Sequence, residues 1–186
     1  MERIEKVDYL FKTIVIGDGT VGKTSLTMKF AHGTFRDRYL MTVGVEFAIK
    51  TVEIEGRKVK FQIWDTGGQD RFAHVRPLYY RGAFGGLLCF DLTNKKTFEN
   101  LPKWIEEARK FGGIFPFVLV GTKADLEEQR EVSNEEIKEF IAKYKMPYYE
   151  TSAKTGLNVE EAFIQLGREI LKSKNIIKDA TKVVLA

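Results

Sequence analysis

Apolar residues recur along this chain in two rhythms. Six runs are short, continuous or alternating, and read as strands: Tyr9–Ile16, Gly44–Ile54, Lys58–Trp64, Gly86–Leu92, Phe117–Val120 and Pro147–Glu150. Only Glu55-Gly56-Arg57 separates the second from the third, a turn that makes an antiparallel hairpin. Between later runs the period changes to that of a helix. Trp104, Ile105, Ala108 and Phe111 share a face, and Gly112-Gly113 stops it. Ser133-Asn134-Glu135-Glu136 is a capping box ahead of Ile137, Phe140 and Ile141. Asn158-Val159-Glu160-Glu161 opens a last helix carrying Ala162, Phe163, Leu166, Ile170 and Leu171. Strands alternating with helices predict an α/β architecture of parallel strands joined by crossover helices. No repeat or linker divides the chain, so residues 1–186 read as one domain, with 173–186 a helix end or tail.

The first strand runs into Gly17-Asp18-Gly19-Thr20-Val21-Gly22-Lys23-Thr24, and Ser25-Leu26-Thr27-Met28-Lys29-Phe30 continues as a helix. Glycine, four residues, glycine, lysine and Ser/Thr between a strand and a helix is the pattern of a phosphate cradle. Successive backbone N–H groups in such a loop form a nest of donors, and the helix behind adds partial positive charge. Glycines at 17 and 22 let the backbone approach the ligand. Lys23 reaches the terminal phosphates as a point charge. Thr24 offers a hydroxyl to Mg²⁺, a hard cation that prefers oxygen. The pattern alone would also fit an ordinary glycine turn; the strand before it and the helix after it favour phosphate.

Composition narrows the class. Hydrophobic residues make up 44% of 186 positions and charged ones 30%, as in an ordinary globular domain. The formal net charge of +4 is spread along the chain rather than clustered, which argues against nucleic acid as a partner. The single cysteine, Cys89, excludes an intrachain disulfide and lies in an apolar strand-like run. No signal peptide and no bilayer-length apolar stretch is evident, so the expectation is a cytoplasmic protein.

Three further clusters follow strands, where open α/β sheets bind ligands. Asp65-Thr66-Gly67-Gly68-Gln69 follows the third: the carboxylate can hold water around Mg²⁺, and Gly68 leaves its N–H free for a terminal phosphate. Gly121-Thr122-Lys123-Ala124-Asp125 follows the fifth. A carboxylate only accepts hydrogen bonds, and guanine presents an adjacent N–H and NH₂ where adenine does not, so Asp125 points to guanine. The stem of Lys123 can lie along the base. Thr151-Ser152-Ala153-Lys154 follows the sixth strand, and its backbone amides could meet the guanine oxygen.

Together with Val43-Gly44-Val45-Glu46-Phe47, Lys60-Phe61-Gln62-Ile63-Trp64, Arg71-Phe72, Tyr79-Tyr80-Arg81-Gly82-Ala83 and Phe90-Asp91-Leu92-Thr93, these residues resemble a small GTPase of the Ras superfamily, most closely the Rab family, over residues 8–172. The resemblance implies a P-loop NTPase (small G-protein) fold: α/β, a six-stranded, mostly parallel sheet with one antiparallel strand, flanked by about five helices, with the whole chain a single G domain. It implies phosphate binding by Gly17, Asp18, Gly19, Thr20, Val21, Gly22, Lys23, Thr24 and Ser25. Mg²⁺ would be held by Thr24 and Thr42 with Asp65 behind them. Phe35 would meet the base edge-on and Tyr39 would cover the phosphates; Thr122, Lys123, Asp125, Ser152, Ala153 and Lys154 would hold guanine. Residues 35–46 match switch I and 65–80 switch II, and Phe47, Trp64 and Tyr79 match the aromatic trio that shows effectors the nucleotide state.

The activity implied is hydrolysis of GTP to GDP and phosphate. Gln69 would place the attacking water, with Lys23, Mg²⁺ ligated by Thr42, and the amides of Gly19 and Gly68 stabilising charge. No residue supplies a clear arginine finger: Arg38 is tempting, but Tyr39 stands three residues before Thr42, so Arg38 reads as a solvated surface residue. Turnover should be slow without an activating protein, and an exchange factor should reload the switch. Three departures stand out. Gly67 replaces the family's usual Ala, which suggests a looser hinge; Thr122 replaces its usual Asn; and no cysteine ends the chain, so no lipid anchor is visible and a role in membrane traffic is left open. The alternatives are an interaction module that binds nucleotide with negligible hydrolysis, against which Gln69 and Thr42 speak, and an ATPase or nucleotide kinase, against which Asp125 speaks.

Overall fold

The computed structural model describes residues 6–36 and 41–178. In chain order the elements are β1 (Tyr9–Ile16), α1 (Lys23–His32), β2 (Val45–Ile54), β3 (Arg57–Thr66), α2 (Arg76–Tyr80), β4 (Gly85–Asp91), α3 (Lys95–Glu99), α4 (Leu101–Gly112), β5 (Phe117–Thr122), α5 (Asn134–Tyr144), β6 (Tyr148–Glu150) and α6 (Val159–Ser173). The strands form one sheet in the order β2-β3-β1-β4-β5-β6. β2 is antiparallel to β3, and every other pairing is parallel. The predicted class and strand count hold. α3 and α4 meet at Asn100, which ends one and starts the other, so among the described residues five helical bodies flank the sheet.

Local chemistry accounts for the elements. Glu55 and Gly56 both have positive φ, 50° and 72°, the twist a two-residue hairpin turn needs. Side chains alternate across β1, β4 and β5, and both faces are covered. Phe11, Val15, Leu87, Cys89, Val118 and Val120 belong to one core with Phe30, Phe163 and Ile170 of α1 and α6. Ile14, Ile16, Leu88, Phe90 and Leu119 belong to the other, with Trp104, Ile105 and Ile137 of α4 and α5. Phe30 stacks on Phe163 with ring centroids 4.0 Å apart, joining α1 to α6. At the start of α5, Ser133 Oγ accepts from the Glu136 N–H while Glu136 Oε2 accepts from the Ser133 N–H, the capping box read from the sequence.

Some boundaries differ, for a reason that bears on the site. Thr66 pairs with Val45, and Gly121 and Thr122 pair with Phe90 and Asp91, so Asp65 and Thr122 sit inside strand ends rather than in the loops beyond them. Ladder bonds hold both rigidly. Phe111 follows the helical period of α4 yet is 40% exposed, just before the helix ends at Gly112. Among the described residues, no helix is long and apolar enough to cross a membrane.

Candidate functional site

The C-terminal ends of β1, β3, β5 and β6 open onto one cavity of about 440 Å³. The loop after β1 bounds it at one end. Thr20 and Gly22 take left-handed conformations there, with φ 69° and 97°. A Cβ on Gly17 would fall 2.2 Å from the Cys89 carbonyl oxygen, so only glycine lets the loop cross β4 that closely. The loop delivers the chain to α1 with no side-chain cap, leaving the helix's first N–H groups for an anion. Lys23 is buried, and its Nζ donates to the carbonyls of Gly17 at 2.8 Å and Asp18 at 2.7 Å. Burial lowers its pKa, an effect opposed by Asp65 and Asp18. Gly19, Thr20, Gly22, Thr24 and Ser25 line the cavity beside it, whereas Val21 is packed in the core.

Asp18 is the exception among the loop residues. Its carboxylate turns away from the cavity: Oδ1 accepts from Trp104 Nε1 at 2.7 Å and Oδ2 from Asn100 Nδ2 at 2.6 Å. Its part is to tie the loop to α4. Trp104 reads as core from its helical spacing alone; the signal in the sequence is that a buried indole N–H needs an acceptor.

Thr24, Thr42 and Asp65 converge. Thr24 Oγ1 donates to Asp65 Oδ2 at 2.5 Å and lies 2.6 Å from Thr42 Oγ1. Asp65 is 1% exposed, and its Oδ1 has no hydrogen-bond partner among the described residues. Burial pushes its carboxyl up to about 6, against the pull of Thr24 and the Lys23 charge. A buried, under-satisfied carboxylate beside two hydroxyls is an all-oxygen set that fits a hard divalent cation.

The segment after β3 closes over the loop. A Cβ on Gly68 would lie 2.4 Å from both the Gly17 carbonyl oxygen and the Gly19 nitrogen, so its main chain rests directly on the phosphate loop. The Gln69 side chain packs on Gly19, whose added Cβ would stand 3.1 Å from Gln69 Nε2. Gly67 donates its N–H to the Gly44 carbonyl at 2.7 Å. A Cβ at Gly67 would collide with the Phe72 ring at 2.7 Å and the Thr42 carbonyl oxygen at 2.9 Å. The looser hinge expected of two adjacent glycines is therefore not what this geometry presents: glycine at 67 admits a tight contact between the two switch segments.

At the other end of the cavity, Asp125 Oδ1 accepts from Ser152 Oγ at 2.7 Å, and Ser152 Oγ accepts from the Thr155 N–H at 3.1 Å. The Ser152 N–H donates to the Leu157 carbonyl at 3.1 Å, while the Ser152 hydroxyl is the group that meets Asp125. Ala153 and Lys154 line the cavity, as does Phe35. Lys123, at φ 62°, pairs with Asp91 at 2.6 Å. Thr122 Oγ1 lies 2.5 Å from the Val21 carbonyl oxygen and 3.0 Å from that of Phe90, binding the phosphate loop to β4 and β5. Tyr39 and Arg38 fall outside the described residues.

Comparison with known proteins gives this arrangement its kinship. Residues 12–172 match the Ras family model. Over 165 residues the chain is 43% identical to Ras-related protein Rab-13 of Rattus norvegicus, covering 88% of this chain and 81% of that protein. It is 43% identical to Ras-related protein Rab-8 of Diplobatis ommata over 169 residues, 90% and 80% of the two chains. Ras-related protein Rab-8B of Homo sapiens is 42% identical over 169 residues, 90% and 82%. The chain belongs to the Ras family. It is a Rab-like small GTPase: a GTP-binding switch that hydrolyses GTP and, like its family, works with effectors, activating proteins and exchange factors.

This Ras-family protein also carries a partly exposed aromatic cluster where β2 and β3 meet α2. Phe47, 59% exposed, stands edge-on to Trp64 with centroids 4.5 Å apart, and Tyr79 tilts against Trp64 at 6.1 Å. Lys12 Nζ lies 3.7 Å above the Trp64 ring and donates to the Arg81 carbonyl at 2.6 Å. Sequence reasoning named the three aromatics but not the lysine that fixes the middle one.

Proposed function

We propose that this cavity holds GTP and GDP, phosphates toward Gly17–Ser25 and guanine toward Asp125, within a single G domain of residues 1–186 whose segment 173–186 is a helix end or tail. The convergence of Thr24, Thr42 and Asp65 beside the ammonium of Lys23 carries the reading. Thr24 and Thr42 would hold Mg²⁺ with Asp65 behind them, and the ion would supply positive charge to the outer phosphates. Lys23, steadied by two carbonyls, meets the β- and γ-phosphates. Asp125, oriented by Ser152, accepts from the two guanine donors. Gln69 orients the attacking water, and the N–H of Gly68 meets the charge that develops on the γ-phosphoryl. The contact of Gly67 with Thr42 couples the two switches, so loss of the γ-phosphate releases both. Tyr39 would cover the phosphates. Effectors then read the switches and Phe47, Trp64 and Tyr79, in a cytoplasmic protein acting in membrane traffic.

Two measurements test this. Purified protein should carry GDP or GTP, release it quickly when EDTA removes divalent ions, and prefer GTP over ATP by at least about 10³-fold. In single turnover, Gln69→Leu should bind GTP as well as the parent and hydrolyse it at least about tenfold more slowly. Equal affinity for ATP sinks the guanine assignment, and an unchanged Gln69→Leu rate removes Gln69 from the chemistry.

A further inference from the structure

One buried cation in the switch region is not used by any role assigned above. Arg76, the first residue of α2, is fully buried, an unusual state for a guanidinium. Its Nε and one terminal nitrogen grip both oxygens of Glu107 on α4, at 2.6 and 2.9 Å. Tyr80 Oη donates to the same carboxylate at 2.7 Å. The other terminal nitrogen of Arg76 donates to the Gln69 carbonyl oxygen at 3.0 Å and points to that of Gly67 at 3.5 Å. The guanidinium lies over the Trp104 ring, 4.5 Å from its centre, and Trp104 donates to Asp18 of the phosphate loop. An unbroken path of contacts thus joins the phosphate loop, α4 and the main chain that bears Gln69.

The geometry points to Arg76 as a positioning residue for GTP hydrolysis: anchored on Glu107 and Trp104, it fixes the backbone of Gly67 and Gln69 so that the Gln69 side chain is aimed at the phosphate loop. This rests on the reading of Gln69 given above. Planarity explains the choice of residue. A guanidinium can fork onto a carboxylate with one edge and still donate to a carbonyl with the other, which an ammonium cannot do with the same geometry. Segments that must order and release with each nucleotide cycle have few buried contacts of their own. A firm anchor on α4, a helix packed on the sheet by Trp104, Ile105 and Ala108, supplies the missing reference point. Glu107 sits below its usual pKa despite its partial burial, because Arg76 and Tyr80 donate to it, so the pair stays charged at neutral pH.

The test separates positioning from mere support. Removing one partner of a buried pair leaves the other charge uncompensated and destabilises the fold, whereas replacing both with apolar residues is often tolerated. Single-turnover GTP hydrolysis, GDP affinity and thermal midpoint should therefore be measured for Arg76→Met, for Arg76→Met/Glu107→Leu, for Arg76→Lys, and for Gln69→Leu with and without Arg76→Met/Glu107→Leu. The double variant should regain stability and nucleotide affinity yet hydrolyse GTP about tenfold more slowly than the parent, since the donors to the Gln69 carbonyl are still absent. Arg76→Lys should keep the fold and lose a similar factor. In the Gln69→Leu background the double change should cost nothing further, because both act through one group. Hydrolysis that recovers together with stability overturns the proposal, as does an additive loss on top of Gln69→Leu. If Gln69→Leu itself hydrolyses normally, the reading of Gln69 fails instead, and the two failures are told apart.

Discussion

The two ends of the proposed nucleotide cavity are built on opposite plans. At the base end three polar side chains already have protein partners: Asp125 with Ser152, Lys123 with Asp91, and Thr122 with the Val21 carbonyl. Those residues sit at the ends of β5 and β6 or just beyond them, so they are fixed before any ligand arrives. At the phosphate end the carboxylate of Asp65 keeps an oxygen with no partner among the described residues, and the two switch segments meet at Gly67, packed on Thr42, and where Arg71 donates to the Met41 sulfur. Such an end is incomplete by itself. A ligand with charge there changes the balance of the site, whereas a ligand at the base end only occupies it. On the proposed reading, affinity and selectivity belong to the rigid end, and state-dependent ordering to the incomplete one.

The sharpest way to break that division is Asp125→Asn. A carboxamide offers one acceptor and one donor where the base needs two acceptors, and the Ser152 hydroxyl loses its charged partner. GTP affinity should fall by about 10²–10³-fold. Xanthosine triphosphate, which carries a carbonyl where guanine has its amino group, should now compete better than GTP. Single-turnover hydrolysis at saturating nucleotide should change less than about threefold, since the phosphate end is untouched. Competition and quenched-flow measurements on one preparation decide it. A hydrolysis rate that collapses along with affinity would mean the two ends are not separable.

Sequence made the rigid parts legible and hid the coupled ones, for physical reasons. Strands such as Tyr9–Ile16 and Phe117–Thr122 are buried on both faces and so appear as continuous apolar runs between glycines and polar turns. The phosphate loop, Asp65, Gln69 and Asp125 stand out in the sequence because the chemistry proposed for each calls for a particular residue type at a strand end or a few residues beyond it. By contrast, α2 and α3 are five residues each, too short to show a helical period. The bonds from Asp18 to Trp104 and Asn100 span more than eighty positions and carry no spacing signal. Gly67 was visible as a departure, but its meaning was not. Adjacent glycines suggest freedom, and only the neighbours Phe72 and Thr42 show that the missing Cβ makes room for contact.

Gly67→Ala sharpens the comparison at the phosphate end. A methyl group 2.7 Å from the Phe72 ring and 2.9 Å from the Thr42 carbonyl cannot be accommodated without displacing one of them. Overpacking of this kind costs about 1–3 kcal/mol. The cost should fall on the ordered switches rather than on the sheet. Amide exchange at residues 67–73 should speed up, GTP hydrolysis should slow several-fold, and the selectivity for guanine should hold. Unchanged exchange together with an unchanged rate would show that the switch segments do not depend on this contact.

Thr122→Val is the smallest of these perturbations and the most diagnostic of the base end. Valine keeps the shape of Thr122 and removes only the hydroxyl, which is buried and directed at the carbonyl oxygens of Val21 and Phe90. Those oxygens would lose a donor and gain nothing, at a cost of about 1 kcal/mol in stability. The loss should show as a lower thermal midpoint of the GDP-bound protein, with GDP release faster by no more than about threefold, because Asp125 and Ser152 still hold the base. If the hydroxyl instead served the nucleotide directly, the outcome would invert: guanine selectivity would drop while the midpoint stayed fixed. The geometry favours the first result. A hydroxyl has one proton to give, and here two protein acceptors already lie within reach of it.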